Sequence, residues 1–326
     1  MRIKIIGFAL GALLVALGFP ANAQQSAKTF RLGILPFDQQ RSNENMNALF
    51  QELRRLGYIE GQNIAIEYRN AEGKVDRLPA LAADLVRLKV DVIVAAATPA
   101  ALAAKKATST IPIVFTVVAD PIGSGLVASL AQPGGNITGT TNLNLDLTGK
   151  RLELLKEAFP KITTVAVLSN PADQVSAPQL KDLEIAARAL KLKLQILEAR
   201  DPKDFDSVIA ALAKKRPGAF TAVTSQMFLS QGGKLADIAT KSRLPAIFWA
   251  SGITEAGGLM SYGTNVPDLF RRTAQLIDKI LKGTKPADIP VEQPMRFEFV
   301  VNLKTAKQIG VTIPPNVLVR AQRVIR

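Results

Sequence analysis

The feature that most constrains the fold of this chain is an internal repeat. Four apolar runs in the first half recur in the same order in the second half, at offsets of 128 to 133 residues. The earlier runs lie at 32–35, 64–68, 92–96 and 113–118, and the later ones at 165–168, 194–198, 220–224 and 246–249. An aliphatic residue and a proline precede the fourth run in both halves, as Ile111-Pro112 and Leu244-Pro245. Alternation of strands and helices alone does not produce this shared aliphatic-proline pair. The sequence therefore predicts two similar units in series.

Segments with helical spacing of apolar residues separate these runs. Residues 43–56 and 75–88 carry apolar side chains at every third or fourth position, which is typical of amphipathic helices. Apolar strands that alternate with such helices indicate a parallel sheet covered on both faces. The predicted fold class is therefore α/β, with two similar doubly wound parallel-sheet lobes. Ligands of such sheets bind at the carboxyl ends of the strands, so two lobes imply a cleft between them.

The first 23 residues have the layout of a cleaved secretory signal. Arg2 and Lys4 form a basic start, residues 5–19 are almost unbroken apolar, and Ala21 and Ala23 are the small residues that precede a cleavage site. The apolar run is shorter than the ~20 residues that a membrane-spanning helix needs. We therefore expect cleavage between Ala23 and Gln24 and a periplasmic mature protein.

Composition excludes several kinds of enzyme. The chain has no cysteine and no histidine, which excludes Ser-His-Asp triads, thiol chemistry and zinc held by either residue type. We expect no cofactor and no metal. The net charge is +14, or +12 without Arg2 and Lys4, and the basic residues are spread over many segments rather than gathered in one block. This spread favours solvated faces and attraction to an anionic surface, so nucleic acid is not an expected partner.

Short segments along the chain carry a resemblance to a known family. They are LGYIEGQN at 56–63, ATPAA at 97–101, DPIGSG at 120–125, PGGNITG at 133–139, GGLMSYG at 257–263, ILKG at 280–283 and NLKTA at 302–306. In their order and spacing the chain resembles the solute-binding proteins of ABC transporters with the type I periplasmic-binding fold, and within them the tryptophan- and tyrosine-binding branch. The resemblance covers essentially the whole mature chain. It implies a monomer whose partners are a small-molecule solute and an ABC permease in the inner membrane.

The topology of that family implies three crossings between the lobes. We place them at 140–144, 251–257 and 286–294. The first lobe then consists of residues 24–141 and 256–285, and the second of 142–255 and 286–326. In this arrangement residues 259–262 and a helix at 268–281 return to the first lobe.

The first candidate ligand-binding residues follow the first predicted strand. Phe37 either stacks on a planar ligand or packs its own loop. Asp38 either receives an ammonium group or lies in a solvated turn. Ser42 is a candidate N-cap of the next helix, whose free backbone N–H groups would attract a carboxylate.

Three further candidates lie in the first lobe and one at its boundary. Thr98, followed by Pro99, caps a helix, offers its hydroxyl to a ligand carboxylate, or does both. Asp120, in the DPIGSG loop, either caps a helix or contacts a ligand amine or hydroxyl. Asn142, at the first crossing, completes this side of the predicted cleft.

The second lobe offers corresponding residues at its strand ends. Asn170 corresponds to Asp38, and Gln226 belongs with Ser225 and Met227 to the equivalents of Thr98. Trp249 is the only tryptophan and lies either in the core or on the cleft wall, and Ser251 follows it.

Ser261 and Tyr262, in the strand expected to return to the first lobe, complete the predicted ring of ligand contacts. Many amino-acid binders offer a carboxylate in the second lobe, whereas Asn170, Gln226 and Ser251 are uncharged. This difference weakens an amino-acid ligand and leaves room for aromatic or other small organic acids.

The sequence therefore predicts a periplasmic solute-binding component of an ABC importer, with two lobes that close on a small organic solute. One alternative is an extracytoplasmic hydrolase or lyase that uses Asp38 and Asp120 as an acid/base pair. A second is a sensor that docks on a receptor. A cytoplasmic repressor of the same fold is disfavoured, because the secretory signal occupies the place of its DNA-binding helices.

Overall fold

The computed structural model describes residues 29–38, 41–144, 146–173 and 175–326. The predicted secretory signal and its cleavage site lie outside the described residues. Within the described ranges no helix has the length and apolar character that a membrane span requires.

Twelve strands, twelve α-helices and three short 3₁₀ helices make up this part of the chain. The strands are β1 (Phe30–Pro36), β2 (Ile64–Tyr68), β3 (Val92–Ala96), β4 (Ile113–Val118), β5 (Ile137–Thr141), β6 (Thr164–Ser169), β7 (Lys193–Glu198), β8 (Ala219–Ala222), β9 (Ala246–Phe248), β10 (Met260–Thr264), β11 (Phe297–Asn302) and β12 (Arg323–Ile325). The helices are α1 (Glu44–Arg55), α2 (Leu78–Arg87), α3 (Thr98–Ala107), α4 (Thr148–Ala158), α5 (Ser176–Ala189), α6 (Phe205–Lys215), α7 (Gln226–Ser230), α8 (Gly232–Lys241), α9 (Ser251–Glu255), α10 (Val266–Leu281), α11 (Leu303–Ile309) and α12 (Pro315–Leu318).

Two sheets organise the molecule, as the repeat predicts. The first sheet has five parallel strands in the order β2-β1-β3-β4-β5. The second has seven strands in the order β12-β11-β10-β9-β8-β6-β7, and only its β10–β11 pair is antiparallel. The predicted α/β class with two parallel-sheet lobes is confirmed.

Helices cover both faces of the first sheet because its strands are apolar on both sides. Alternate residues of β3 enter different cores: Val92 and Val94 join the cluster beneath α1 and α10, and Ile93 and Ala95 join the cluster beneath α2 and α3. Such continuous apolar strands require cover on both faces. The sheet is therefore a central layer between helices, and only its two edge strands and the two ends of its strands are left uncovered by them.

Helix α10 belongs to the first lobe although it follows a strand of the second. Its buried residues recur at helical spacing and face α1 and the sheet; they are Leu269, Phe270, Thr273, Ala274, Leu276, Ile277 and Ile280. Asn265 caps its first turn by accepting a hydrogen bond from the Asp268 backbone N–H at 3.0 Å. An amphipathic helix with this stripe buries it against whatever apolar face is free, and the first lobe supplies that face.

Strand β10 lies in the second sheet, so the predicted return of residues 259–262 to the first lobe is wrong. Ser261 pairs with Phe248 of β9 in parallel register and with Val300 of β11 in antiparallel register. The second crossing therefore falls at Thr264–Asn265 rather than at 251–257, and only α10 returns. The reason is physical: both neighbouring strands satisfy the backbone of β10 within the second sheet.

The other two crossings lie close to their expected places. The first leaves the five-stranded sheet after Thr141, the last residue of β5. The third begins later than residue 286, because the backbone N–H of Glu292 still donates to Gly139 of the first sheet at 2.9 Å. The chain joins the second sheet only at Phe297, where β11 begins.

Glu52 connects α1 to α10. Its Oε1 atom accepts hydrogen bonds from Arg55 Nη2 at 2.7 Å and from Gln275 Nε2 at 2.9 Å, and the residue is 8% exposed. The hydrogen bond from Arg55, with that from Gln275, lowers the pKa of Glu52 to about 2 from its usual 4.5. Because the folded pKa is depressed, the stabilisation is present above pH 4.5 and is lost as the pH falls toward 2.

Replacement of Glu52 by glutamine should remove this pH-dependent stabilisation. We expect Glu52→Gln to lower the free energy of unfolding by about 1–2 kcal/mol at pH 7, a deficit that shrinks as the pH falls through the acid range. Urea unfolding of both proteins at a series of pH values measures this difference in the free energy of unfolding. Glu184→Gln, on the exposed face of α5, is the control and should leave stability unchanged. Parallel pH profiles for wild type and Glu52→Gln would contradict the assignment.

Candidate ligand cleft

Two crossing segments connect the carboxyl ends of the two sheets. The first crossing runs from the carboxyl end of β5 to the amino end of α4, and the second runs from the carboxyl end of β10 to the amino end of α10. In each lobe the helix that follows a crossing begins at the carboxyl edge of the sheet that it covers. Both crossings therefore connect one carboxyl edge to the other, which is the place where open parallel sheets bind ligands.

Hydrogen bonds tie the two crossings together. The Thr264 hydroxyl donates to the Asn142 carbonyl, and the Thr264 backbone N–H donates to Asn144 Oδ1 at 3.2 Å. The side chain of Asn142 is committed to the same region, since its Oδ1 accepts from the Asn144 N–H at 3.1 Å. Asn142 is thus placed as a hinge residue whose side chain is largely occupied within the protein.

Gly263 allows the crossings to approach so closely. A Cβ atom at this position would lie 1.8 Å from the Trp249 carbonyl oxygen and 3.1 Å from Asn144 Oδ1. Any other residue would push β10 away from β9 or break the contact between the crossings.

Arg151 is a buried cation at the same place. It is 3% exposed, and its Nη2 donates to the Asn144 carbonyl at 2.7 Å and to the Thr148 hydroxyl at 3.0 Å, while Nη1 donates to the Tyr262 carbonyl at 3.4 Å. Burial lowers the pKa of its guanidinium to about 9, which still leaves it charged at neutral pH. No carboxylate in the described ranges forms an ion pair with it, so backbone carbonyls of the two crossings balance its charge. Sequence patterns do not mark this residue, since a lone arginine in the first turn of a helix is usually a surface residue.

Phe37 and Asp38 differ in their accessibility. The ring of Phe37 is 7% exposed and packs in the core with Ala71 and Leu78, which favours the packing alternative over an open stacking surface. Asp38 is exposed at the edge, although neighbouring atoms desolvate its carboxyl group and raise its pKa.

Two of the predicted helix caps of the first lobe are wrong. Asn43, not Ser42, caps α1, because its Oδ1 accepts from the Met46 N–H at 2.8 Å. Ser42 is exposed and offers only its carbonyl, to Asn47. Thr98 is the first residue of α3, and the cap position is Ala97, which has no side chain for capping. Thr98 and the following Pro99 are half-buried at the carboxyl edge.

Two residues at this edge of the first lobe have an unfavourable backbone conformation. Ala97 has φ 77° and ψ 155°, a region occupied almost only by glycine, and Val117 has φ 58° beside an irregularity in the β4–β5 register. A β-branched residue at positive φ is a genuine outlier. Strain of this kind persists only where surrounding structure imposes it, and it is common at ligand clamps.

Replacement of Ala97 by glycine should relieve the strain before α3. We expect Ala97→Gly to raise the free energy of unfolding by about 1 kcal/mol, because relief of a strained backbone outweighs the larger chain entropy of glycine in the unfolded state. The same change inside the helix, Ala103→Gly, should lower it by about 1 kcal/mol. Urea unfolding of both variants measures the two changes in the free energy of unfolding. Equal destabilisation by the two substitutions would contradict a strained backbone at Ala97.

Asp120 and Asn170 both close turns. Asp120 Oδ1 accepts from the Gly123 N–H at 2.7 Å, and its carbonyl accepts from the Ser124 hydroxyl at 2.6 Å. Asn170 is 5% exposed, its Oδ1 accepts from the Ala172 N–H at 3.0 Å, and its carbonyl accepts from the Ser176 hydroxyl at 2.6 Å. No helix begins after Asp120, since the described chain has none between β4 and β5, so the predicted helix cap is wrong and Asp120 closes a turn instead. Asn170 shapes the loop after β6.

The remaining candidates lie in the second lobe. Trp249 is 3% exposed within the core of that lobe, which favours its core alternative. Gln226 and Ser251 begin the short helices α7 and α9 and are half-buried. Tyr262 packs its ring 6.2 Å from that of Phe297, in the sheet of the second lobe rather than the first.

Seven buried side-chain oxygens in the described part of the chain have no hydrogen-bond partner. Four of them come at or just after the carboxyl ends of strands: Thr141 Oγ1, Asp173 Oδ2, Thr224 Oγ1 and Ser225 Oγ. The other three are Gln195 Oε1, Thr254 Oγ1 and Ser261 Oγ, within elements of the second lobe. Because buried polar atoms are nearly always paired, the four at the carboxyl edges indicate where a solute would supply partners.

A groove of about 680 Å³ lies elsewhere, beside α1 and the edge strand β2. Its lining includes Arg41 and Glu60, which pair with each other at 2.5 Å, and Phe50, whose ring lies 5.4 Å from the Arg41 guanidinium carbon. Ser42, a predicted ligand-binding residue, also lines this groove, but the charges of Arg41 and Glu60 are already matched within the protein. The carboxyl edges remain the candidate site.

Replacement of Arg151 should loosen the connection between the crossings. We expect Arg151→Met to lower the free energy of unfolding by about 1–3 kcal/mol, because the carbonyls of Asn144 and Tyr262 lose their donor in a buried place. The variant should also be more open in small-angle scattering, with a larger radius of gyration. Lys150→Met, on the exposed face of α4, is the matched control. A variant as stable and as compact as wild type would show that Arg151 does not brace the hinge.

Comparison with known proteins identifies the family. A family model described as ABC transporter substrate binding protein matches residues 38–325. The chain belongs to this family. The resemblance noted in the sequence is confirmed, and so is its function as an ABC transporter substrate-binding protein. Substrate-binding proteins of this kind are extracytoplasmic and bind small molecules.

Three relatives of this substrate-binding protein are informative. The tyrosine-binding protein of Clostridioides difficile (strain R20291) is 31% identical over 258 residues, 79% of this chain and 74% of the relative. An ABC domain from Streptococcus pneumoniae, solved in complex with L-Trp, is 29% identical with a TM-score of 0.83, and the match covers 91% of this chain and 100% of that one. A ligand-free, open substrate-binding protein with adhesive properties from Clostridium difficile is 29% identical with a TM-score of 0.72, over 91% of this chain and 99% of that one. All three are solute-binding proteins or domains, and they lend no support to the enzyme alternative.

Proposed function

We propose that this substrate-binding protein captures an aromatic amino acid of the tryptophan and tyrosine class between its lobes. The observation that carries the proposal is the set of buried, unpaired oxygens at the carboxyl edges of both sheets. Thr141 contributes one from the first lobe, and Ser225, 3% exposed, contributes another from the second.

Hydrogen bonds from a polar solute to these oxygens would favour the closed arrangement of the lobes. A buried hydroxyl without a partner costs about 1–3 kcal/mol, which a solute with donors and acceptors recovers. Since the oxygens belong to both sheets, a single solute reaches all of them only when the carboxyl edges come together. Binding is thereby coupled to rotation about the crossings, as in other hinge-closing binders.

The relatives support an aromatic amino acid. One is named for tyrosine, and another was solved with L-Trp. At equal identity the chain superposes better on the tryptophan complex, with a TM-score of 0.83, than on the ligand-free open structure, with 0.72. This difference favours a closed arrangement of the lobes.

The predicted secretory signal indicates where the protein acts, and the family indicates its protein partner. The predicted signal at residues 1–23 directs the chain to the periplasm, where cleavage after Ala23 releases a mature protein that starts at Gln24. There it acts as a monomer and passes the solute to an ABC permease in the inner membrane. The excess of positive charge suits work beside an anionic membrane surface.

The direct test is ligand binding by the exported protein. The full-length chain is expressed with its leader in a Gram-negative host, purified from the periplasm and freed of bound solute by unfolding and refolding. We expect titration calorimetry to give dissociation constants of about 1 μM or tighter for L-Trp or L-Tyr, and much weaker binding of L-Leu and L-Lys. The solute should be recovered chemically unchanged, and the intact mass should match a chain that starts at Gln24. Binding of no aromatic amino acid would overturn the proposal, and conversion of the solute would restore the enzyme alternative.

Two variants test the unpaired oxygens themselves. Ser225→Ala and Thr141→Val should each weaken aromatic amino-acid binding about 10-fold while leaving the ligand-free protein as stable as wild type or more so. Thr138→Val is the matched control, because the Thr138 hydroxyl already donates to the Ile289 carbonyl at 2.8 Å. It should lower stability by about 1 kcal/mol and leave binding unchanged. The opposite pattern would show that the oxygens serve the fold rather than the solute.

A further inference from the structure

The amino edge of the second sheet carries a group of unpaired positive charges. Six exposed cations lie in the segments that lead into β6, β7 and β8; they are Lys161, Lys191, Lys193, Lys214, Lys215 and Arg216. These segments, 158–164, 190–194 and 213–219, contain no aspartate and no glutamate. Among the described residues none of the six forms an ion pair. We call the surface formed by these six residues the basic end.

The sheet brings the three segments together. Strand β6 lies between β7 and β8 and pairs with both in parallel register. At the start of β6, the Lys193 N–H donates to the Thr163 carbonyl at 2.8 Å, and the Gly218 N–H donates to the Thr164 carbonyl at 3.0 Å. The cations before β7 and β8 therefore flank the cation before β6, and the six charges form one surface.

A shallow cavity of about 510 Å³ opens within the basic end. Lys161 and Arg216 both line it, together with Phe159 and Thr163. Lys156 fixes its wall, since its Nζ donates to the Pro160 carbonyl at 2.9 Å and to the Ile162 carbonyl at 2.8 Å. The cavity thus holds two cations on a fixed backbone, a combination that favours a phosphate group.

Helix dipoles account for only part of this charge. Lys214 and Lys215 lie in the last turn of α6, where a cation offsets the partial negative charge of the helix end. Lys193 belongs to strand β7, and Lys161 and Lys191 follow the last residues of α4 and α5. The dipole effect is confined to the last turn of a helix. The other cations therefore repel one another without that compensation.

The corresponding edge of the first lobe is different. Three of its helices end with a cation that pairs with an acid of the same helix; the pairs are Arg55 with Glu52 in α1, Arg87 with Asp84 in α2, and Lys282 with Asp278 at the end of α10. The unpaired group of cations in the second lobe is therefore not a general property of this fold's amino edges.

We propose that the basic end docks on a bilayer that carries anionic phospholipids. Such a surface contacts several lysines at once, and each lysine within a Debye length of about 8 Å adds to the attraction. The predicted secretory signal directs the chain to a compartment bounded by membranes. The six-residue strand β6 separates this edge from the carboxyl edge by about 20 Å. The docked protein therefore keeps its cleft free, and the inference holds whichever solute the cleft binds.

The test measures co-sedimentation of the mature protein with vesicles. The vesicles are phosphatidylcholine alone or phosphatidylcholine with about 30% phosphatidylglycerol. We expect wild type to bind only the vesicles with phosphatidylglycerol, and to dissociate as the salt concentration rises from about 0.05 M to about 0.5 M. The triple variant Lys161→Gln, Lys193→Gln, Lys215→Gln should bind at least about 10-fold more weakly.

A matched variant separates the basic end from net charge. Lys74→Gln, Lys106→Gln, Lys285→Gln removes the same charge from exposed positions of the first lobe and should bind these vesicles as wild type does. Equal weakening by both triple variants would show that net charge alone attracts the protein, and it would overturn the assignment. So would binding that is independent of phosphatidylglycerol, or retention of wild type by inorganic polyphosphate but by no vesicle. L-Trp titration of the same preparations tests the proposed solute separately.

Discussion

The structure depends on the hydrogen bonds that hold two crossing segments side by side. Thr264 bonds to Asn142 and Asn144, and Arg151 spans the same segments through backbone carbonyls. These bonds are buried, so water does not compete for them and their loss leaves groups unpaired. The bonds therefore fix how the two crossing segments lie against each other.

The edges themselves carry features that oppose folding. Ala97 and Val117 hold strained backbone, and Thr141, Asp173, Thr224 and Ser225 bury oxygens without partners. Each costs of the order of 1–3 kcal/mol in the ligand-free protein. The aliphatic cores on both faces of the first sheet and within the second lobe offset this cost. The sheets and helices supply the stability, and the proposed binding groups lie where the fold leaves polar atoms unpaired, which is a common relation between stability and function.

Most of the fold could be predicted because its signals are local. The runs at 64–68 and 92–96 are strands β2 and β3 with the predicted bounds, and the helix expected at 43–56 is α1 at Glu44–Arg55. The assignment of β10 failed because an apolar strand carries no mark of the sheet that it joins. Its place is decided by pairing with β9 and β11, and β11 lies about 40 residues further along the chain. The predicted helix caps at Ser42 and Thr98 were wrong by one residue. Ser42 and Asn43 are both favourable N-cap residues, and only the position at which the helix starts decides between them.

The sequence by itself determined two parallel-sheet lobes, their order along the chain and the family, because hydrophobic period and strand-to-helix alternation are properties of neighbouring residues. Only the tertiary structure decided which polar groups are left without a partner. Phe37 and Trp249 follow strands as the prediction required, yet packing from distant segments buries both. Asn170 also follows its strand, yet its side chain closes a turn by accepting from the Ala172 N–H. Whether a polar side chain finds a hydrogen-bond partner depends on residues far away in sequence, and the identity of a single residue does not predict them.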